Sequence, residues 1–147
     1  MNGTVFGSVD ELNWAAVGVS ILVAFVLGSV WFAPGVLGNY WARQVAHYTG
    51  VPETEIASAA ARPSSLLRWA VGMALNVIVL AMVIEAARGD SAPEGIALGV
   101  AVWFGFAATF SSWPPIFARM PWEWWLVNNG AFLLMQVGTG ALLAVWR

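Results

Sequence analysis

The sequence predicts an all-α integral membrane protein in which a four-helix transmembrane bundle forms one domain over residues 1–147. The main observation is a set of four apolar stretches, each about as long as the roughly 20 residues that cross a bilayer as a helix. They lie at about 12–34, 65–87, 93–113 and 124–146. Composition agrees, because 60% of the residues are hydrophobic and only 10% are charged, whereas soluble domains carry about 25% charged residues. Backbone groups cannot stay unpaired in lipid, so runs of this length must cross as helices.

The first stretch is expected to be a retained transmembrane span. The segment before it carries Asp10 and Glu11, where a signal peptide would carry basic residues, and no small-residue cleavage site follows closely.

The connection 35–63 is the only one long enough to have structure of its own. Its sequence pattern predicts an amphipathic helix at the membrane interface. Its apolar side chains recur at helical spacing: Leu37, Trp41, Val45 and Tyr48. Gly50 is expected to stop this helix. A second short helix should begin near Pro52, with Glu53 and Glu55 in its first turn, where acids are favourable.

The later connections, 88–92 and 114–123, are short, so spans two, three and four should be antiparallel neighbours. Proline lacks a backbone donor and disfavours helix in the residue before it. Pro34 and Pro115 are therefore expected to end spans one and three.

Arginine placement predicts the orientation, because basic residues concentrate on the cytoplasmic side. Four arginines flank the connections after spans one and three, and two lie on the other side: Arg43, Arg62, Arg68 and Arg119 against Arg88 and Arg147. Both termini are thus expected outside.

Small residues suggest an internal repeat. At an offset of 81 residues, a ladder in span one matches a ladder in span three: Ala16, Ser20, Ala24 and Gly28 against Ala97, Ala101, Gly105 and Thr109. The pattern is typical of a parallel two-plus-two repeat, and coincidence in a chain rich in Ala and Gly is the alternative. Small residues let helices approach in lipid, so spans one and three are expected to be the central packing pair.

Polar side chains within the spans supply the candidate binding site, since they are costly in lipid and should face protein or water. The candidate ligand-binding residues are Ser20, Asn76, Thr109, Asn129 and Gln136. The alternative is that the amides only join helices through hydrogen bonds.

Other chemistry-bearing residues favour ordinary roles. His47 is the only histidine and the chain has no cysteine, so no metal site is expected, and no cofactor is predicted. Glu85 is expected to pair with Arg88 near a helix end, with proton relay as the alternative. A net charge of −2 with scattered arginines disfavours nucleic acid as a partner.

Five segments resemble the uncharacterised bacterial membrane proteins known as domain of unknown function 1761. They are Asn13-Trp14, GSVWFAP at 28–34 followed by Gly38 and Trp41, VWFGF at 102–106, VNNGAF at 127–132 and GTGALLAVW at 138–146. The turn at 50–56 is similar as well. The chain departs from the family in carrying Phe32 where a tyrosine is common, and Asn39 or Arg43 where a lysine is common. The resemblance implies four helices in the bacterial inner membrane and no known activity.

Three functions remain open. The favoured one is non-catalytic binding or transport of a small or lipophilic molecule. The alternative is a structural or interaction subunit that acts through homo- or hetero-oligomeric helix packing. An enzyme is not expected, because no paired carboxylates, Ser–His couple or metal cluster is recognisable. Four helices enclose little interior, so besides the lipid bilayer the expected partner is a second copy, as a homodimer.

Overall fold

Helices make up the regular structure of this protein in the computed structural model, which describes residues 9–146. In chain order they are α1 (Trp14–Trp31), α2 (Asn39–Thr49), α3 (Glu53–Ala60), α4 (Pro63–Ala87), α5 (Ala92–Val102), α6 (Trp113–Phe117) and α7 (Trp122–Val145). Four helices are long and apolar enough to cross a membrane: Trp14–Trp31, Pro63–Ala87, Ala92–Phe117 and Trp122–Val145. The predicted four-helix fold class is confirmed, with each span within a few residues of its expected bounds.

Local chemistry explains where the helices begin and end. The Oδ1 of Asn13 accepts hydrogen bonds from the backbone N–H groups of Ala15 and Ala16, both at 3.1 Å, and so caps the start of α1. Pro63 occupies the first turn of α4, where a missing N–H costs nothing. Arg88 ends α4 in the left-handed conformation, with φ of 53°.

The interfacial connection forms the two short helices that the sequence predicts. The first is α2, and Gly50 ends it with φ of +73°, the left-handed geometry that glycine adopts without strain. The second, α3, carries Glu53 and Glu55 in its first turn.

The central element is α7, against which α1, α4 and α5 all pack. Its most extensive contact is with α5, and α1 and α5 touch at most marginally. The expectation that spans one and three form the central pair is therefore wrong. The reason is a closer fit elsewhere: a Cβ on Gly95 would overlap the carbonyl oxygen of Gly140, and one on Gly99 would overlap that of Gln136.

The two small-residue ladders lie in different surroundings. The α1 ladder, from Ala16 to Gly28, is buried, whereas the ladder from Ala97 to Thr109 in span three is exposed along its whole length. Sequence similarity between the halves thus does not extend to equivalent packing. The repeat itself stays a prediction, because burial does not measure whether the halves superpose.

The proline expectation holds for one exit and is wrong for the other. The first span ends at Trp31, and Pro34 begins a π-helical turn that runs to Gly38. Span three instead has a π-helical segment at Trp103–Ala108 and a turn at residues 111–112. Pro115 lies in the first turn of α6. In the first turn of a helix the backbone N–H groups have no acceptor within the helix, so a proline there loses no hydrogen bond and is compatible with the start of a helix.

Replacing Gly95 with alanine should destabilise the bundle, because the new methyl group would meet the Gly140 carbonyl and lie 2.6 Å from the Cβ of Ala144. Overpacking of this kind costs about 1–3 kcal/mol. The measurement is equilibrium unfolding in mixed detergent. Gly72→Ala is the control, since a Cβ there has nothing within 4 Å. Equal stability of the two variants would contradict the proposed α5–α7 contact.

Candidate functional site

A buried amide joins the last two spans. The side chain of Asn129 is 1% exposed. Its Nδ2 donates to the Oγ of Ser111 at 2.9 Å and to the carbonyl of Trp125 at 3.0 Å, and its Oδ1 lies 3.1 Å from the same Ser111 Oγ. Ser111 sits at the turn that follows the π-helical segment. The amide therefore holds that turn against α7.

Three indole N–H groups add further bonds at the same end of the bundle. Trp31 donates to the carbonyl of Val127 at 3.0 Å and Trp103 to that of Asn129 at 3.0 Å. Trp125 donates to the carbonyl of Ala108 at 3.3 Å. These bonds link α7 to α1 and to span three, and a partly buried Trp is expected to find such a partner. The sequence contains ten Trp residues, but it does not show which carbonyls their indole N–H groups meet.

The five sequence-predicted binding residues divide into two groups. Ser20, Asn129 and Gln136 are 0%, 1% and 4% exposed, so they lie inside the bundle as expected for polar groups in a membrane. Asn76 and Thr109 are exposed on the outer faces of α4 and span three. The hydroxyl of Thr109 donates to the carbonyl of Gly105 at 2.8 Å, which satisfies its only donor within its own helix.

The three interior residues do not share one chamber. A Cβ on Gly138 would lie 3.3 Å from the side chain of Leu27. Leu27 of α1 is therefore level with Gly138 of α7, and the two helices run antiparallel. Ser20 is seven residues from Leu27, about 10 Å along the helix axis, so it lies well away from the level of Gln136. Three buried side-chain atoms have no hydrogen-bond partner in the described part of the chain: the Oγ of Ser20, the Oε1 of Gln136 and, outside this group, the Nε1 of Trp41.

A cavity of about 40 Å³ opens at the other end of the bundle, where α1 begins and α4 and α7 end. Its polar lining comes from Glu11, Asn13, Glu85 and Trp146, and its apolar walls include Val17 and Ile84. None of the five sequence-predicted residues lines it. The sequence suggested Glu85 as the partner of Arg88 or, alternatively, as a proton relay, so the convergence of two carboxylates on one cavity was missed. Their separation of over 70 positions gives no local pattern.

Comparison with known proteins gives one match. A family model described as "Protein of unknown function (DUF1761)" matches residues 15–144, which is most of the chain. No curated protein matches, and no solved structure matches. The family resemblance seen in the sequence is confirmed, and it brings no activity with it.

The Asn129–Ser111 contact should carry measurable energy. Asn129→Ala removes the amide and leaves the Ser111 hydroxyl to find a new partner. In a double-mutant cycle with Ser111→Ala, we expect a coupling free energy of about 0.6 kcal/mol, up to about 1.7, the range measured for interhelical bonds in membranes. Asn128→Ala is the control, because that amide bonds only the carbonyl of Trp124 in its own helix, at 2.7 Å. A coupling of zero would show that the two side chains act independently.

Proposed function

The chain belongs to the DUF1761 family of proteins of unknown function, and we propose that it is a non-enzymatic integral membrane protein that works by associating with a second copy of itself. The association would use the outer surfaces of α4 and of span three. This is a structural or interaction role, in which the bundle is one unit of a homodimer in the bilayer.

The observation that carries the proposal is the exposed ladder on span three. Ala97, Ala101, Gly105 and Thr109 follow one another at four-residue intervals along an exposed stripe. A Cβ on Gly105 would meet nothing within 4 Å. In lipid, small residues at this spacing let two helices approach closely and gain dispersion contacts. The matching ladder on α1 is buried against the chain's own helices, which supports the same use for the exposed one.

Asn76 gives independent support. It lies near the middle of α4 and is exposed, and its side chain has no hydrogen-bond partner among residues 9–146. An amide at this depth is costly against hydrocarbon, and a partner helix would supply the missing bonds. The hairpin between α4 and α5 turns at residues 88–91. Asn76 lies about as many residues before this turn as residues 102–104 lie after it. Asn76 is therefore level with the part of span three between Ala101 and Gly105 of the ladder.

Ligand binding between the spans is the second candidate. The unpartnered Oε1 of Gln136 favours it, because a buried acceptor without a donor costs free energy that a bound polar molecule would recover. It ranks second because Asn129 already uses its amide on Ser111 and Trp125. Asn76 and Thr109, moreover, face outwards, away from Gln136.

Dimerisation should depend on the exposed stripe and not on the buried one. Gly105→Leu and Asn76→Leu should each shift the protein from dimer to monomer without unfolding it, because both positions are exposed. Ala24→Leu is the contrasting variant, since Ala24 is 1% exposed and a larger side chain should unfold the bundle, at a cost of about 1–3 kcal/mol. The measurement is native mass spectrometry from mild detergent, with circular dichroism as the folding check.

Wild-type protein that appears only as monomer would contradict the dimer. The same spectra test the second candidate, because a ligand at Gln136 would appear as a mass adduct that Gln136→Leu removes.

For location we propose the bacterial inner membrane, which the family resemblance implies, with both termini outside on the strength of the arginine bias. The chain has no cysteine, so Glu55→Cys in the exposed helix α3 gives a single reporter. A membrane-impermeant maleimide should label it only after cells are permeabilised. Labelling in intact cells would reverse the orientation, and Asp90→Cys in the opposite connection is the matched control.

A further inference from the structure

We propose that the buried amide of Gln136 binds the hydroxyl group of a neutral lipophilic molecule, such as a long-chain alcohol or a diacylglycerol. The proposal names a ligand class for the second candidate function, ligand binding between the spans, and it rests on that candidate. It does not depend on the dimer, because Gln136 lies inside the bundle and the proposed dimer surface lies on its outside.

The amide of Gln136 differs from the other polar groups of α7. Gln136 is 4% exposed, and its Oε1 is buried without a hydrogen-bond donor in the described part of the chain. Three neighbouring polar side chains of α7 each donate to a carbonyl one turn earlier in the helix: Asn128, Asn129 and Thr139. Gln136 therefore carries the cost of an unpaired buried acceptor, which a bound donor would remove.

Exposure separates Gln136 from the other two side chains with an unpartnered buried atom in the described structure. Ser20 is 0% exposed, so a ligand could reach its hydroxyl only if the helices separated. Trp41 lies in α2, outside the four spans, where water is close. Gln136 is within a span and keeps 4% of its surface exposed, so it is the one that a molecule from the lipid can reach.

The depth of Gln136 limits the ligand to neutral groups. Gln136 lies in the middle third of α7, which runs from Trp122 to Val145, and α7 is one of the four spans. A charged group at this depth is costly, so a cationic donor is disfavoured. The donor that meets the Oε1 must then be a neutral O–H or N–H group.

The packing around Gln136 favours a small donor. A Cβ on Gly99 of α5 would overlap the backbone carbonyl of Gln136, so the two backbones leave little room beside the amide. The hydroxyl is the smallest neutral donor, because its O–H and its lone pairs share one atom. A ligand amide would bring a separate carbonyl that needs a partner of its own.

Apolar side chains near the Gly99–Gln136 contact suit the carbon chain of such a ligand. Leu98 and Val102 of α5 and Phe132 of α7 lie within about one helical turn of it. All three are partly buried and pack against the core. They offer apolar surface beside the amide, as a ligand pocket with one orienting polar group does.

The first test compares two isomers, 1-decanol and 1-methoxynonane, of which only the alcohol has an O–H donor. The alcohol should raise the melting temperature of the detergent-solubilised wild-type protein by about 3–5 °C, the shift expected when a ligand is present at about ten times its Kd. The ether should raise it less, because it cannot donate to the Oε1 of Gln136.

The second test measures what the amide costs in the ligand-free protein. Gln136→Met keeps a similar shape and removes the unpaired acceptor, so this variant should melt about 2–4 °C above wild type. The alcohol and the ether should then shift its melting temperature equally. An amide that joins helices would give the opposite sign, since its loss would lower the melting temperature.

Asn128→Met is the matched control. The amide of Asn128 is half-buried and bonds the carbonyl of Trp124 in its own helix, so its removal relieves no unpaired acceptor. This variant should not melt above wild type, and it should keep the difference between the alcohol and the ether. Circular dichroism checks that both variants are folded.

The source of the hydroxyl is tested by native mass spectrometry with dioleoylglycerol and dioleoylphosphatidylcholine, which share their acyl chains. Selective retention of dioleoylglycerol that Gln136→Met abolishes assigns the site to a membrane lipid. The response to 1-decanol without that retention assigns it to a smaller alcohol. Both results support a hydroxyl ligand.

Equal shifts of wild type by the alcohol and the ether overturn the proposal, and this comparison requires no variant to fold. A ligand-free Gln136→Met protein that melts below wild type overturns it as well. Equal shifts together with a mass adduct that Gln136→Leu removes would reject only the hydroxyl class and leave ligand binding standing. The Gly105→Leu protein should keep the response to 1-decanol as a monomer, which separates this outcome from that of the dimer.

Discussion

The close approach of α5 and α7 is the constraint on which the rest of the bundle depends. Gly95, Gly99 and Gly140 bring two backbones together so closely that no Cβ fits at the contact. In lipid, apolar surface alone does not drive helices together, so such a contact gains its stability from dispersion between backbones. It fixes α7 as the central helix, and α1 and α4 then pack against the faces of α7 that remain.

The α5–α7 contact also decides which surfaces the chain leaves open. Because α5 turns Gly95 and Gly99 towards α7, its ladder from Ala97 onwards lies two residues away, on the opposite side of the helix. In α1 no pair of glycines on another face takes the place of the ladder in packing, and the ladder is buried. The exposed stripe is therefore a consequence of the glycine pair, and a partner helix or lipid tails must cover it.

The sequence predicted well what depends on composition and length. The four spans follow from apolar runs, and α2 and α3 from periodicity and Gly50. Which helices pack against each other was not predictable in the same way. The spacing of small residues shows which face of a helix can pack closely, but it does not show which other helix packs there. Gly95 and Gly99 are present in the sequence at a four-residue spacing, but the prediction rested on the longer ladder that starts at Ala97. The candidate site shows the same limit. Ser20, Asn129 and Gln136 are buried as expected, but no local sequence pattern distinguishes them from Asn76 and Thr109, which are exposed.

Helix geometry keeps the cavity at the end of the bundle apart from the proposed dimer surface. Asn76 and Glu85 lie on the same helix, α4, nine residues apart. At 3.6 residues per turn, nine residues are two and a half turns, which places the two side chains on opposite faces. Glu85 accordingly lines the cavity between the start of α1 and the ends of α4 and α7, while Asn76 is exposed on the outer surface. The cavity and the proposed dimer surface therefore use different faces of α4 and share none of its side chains.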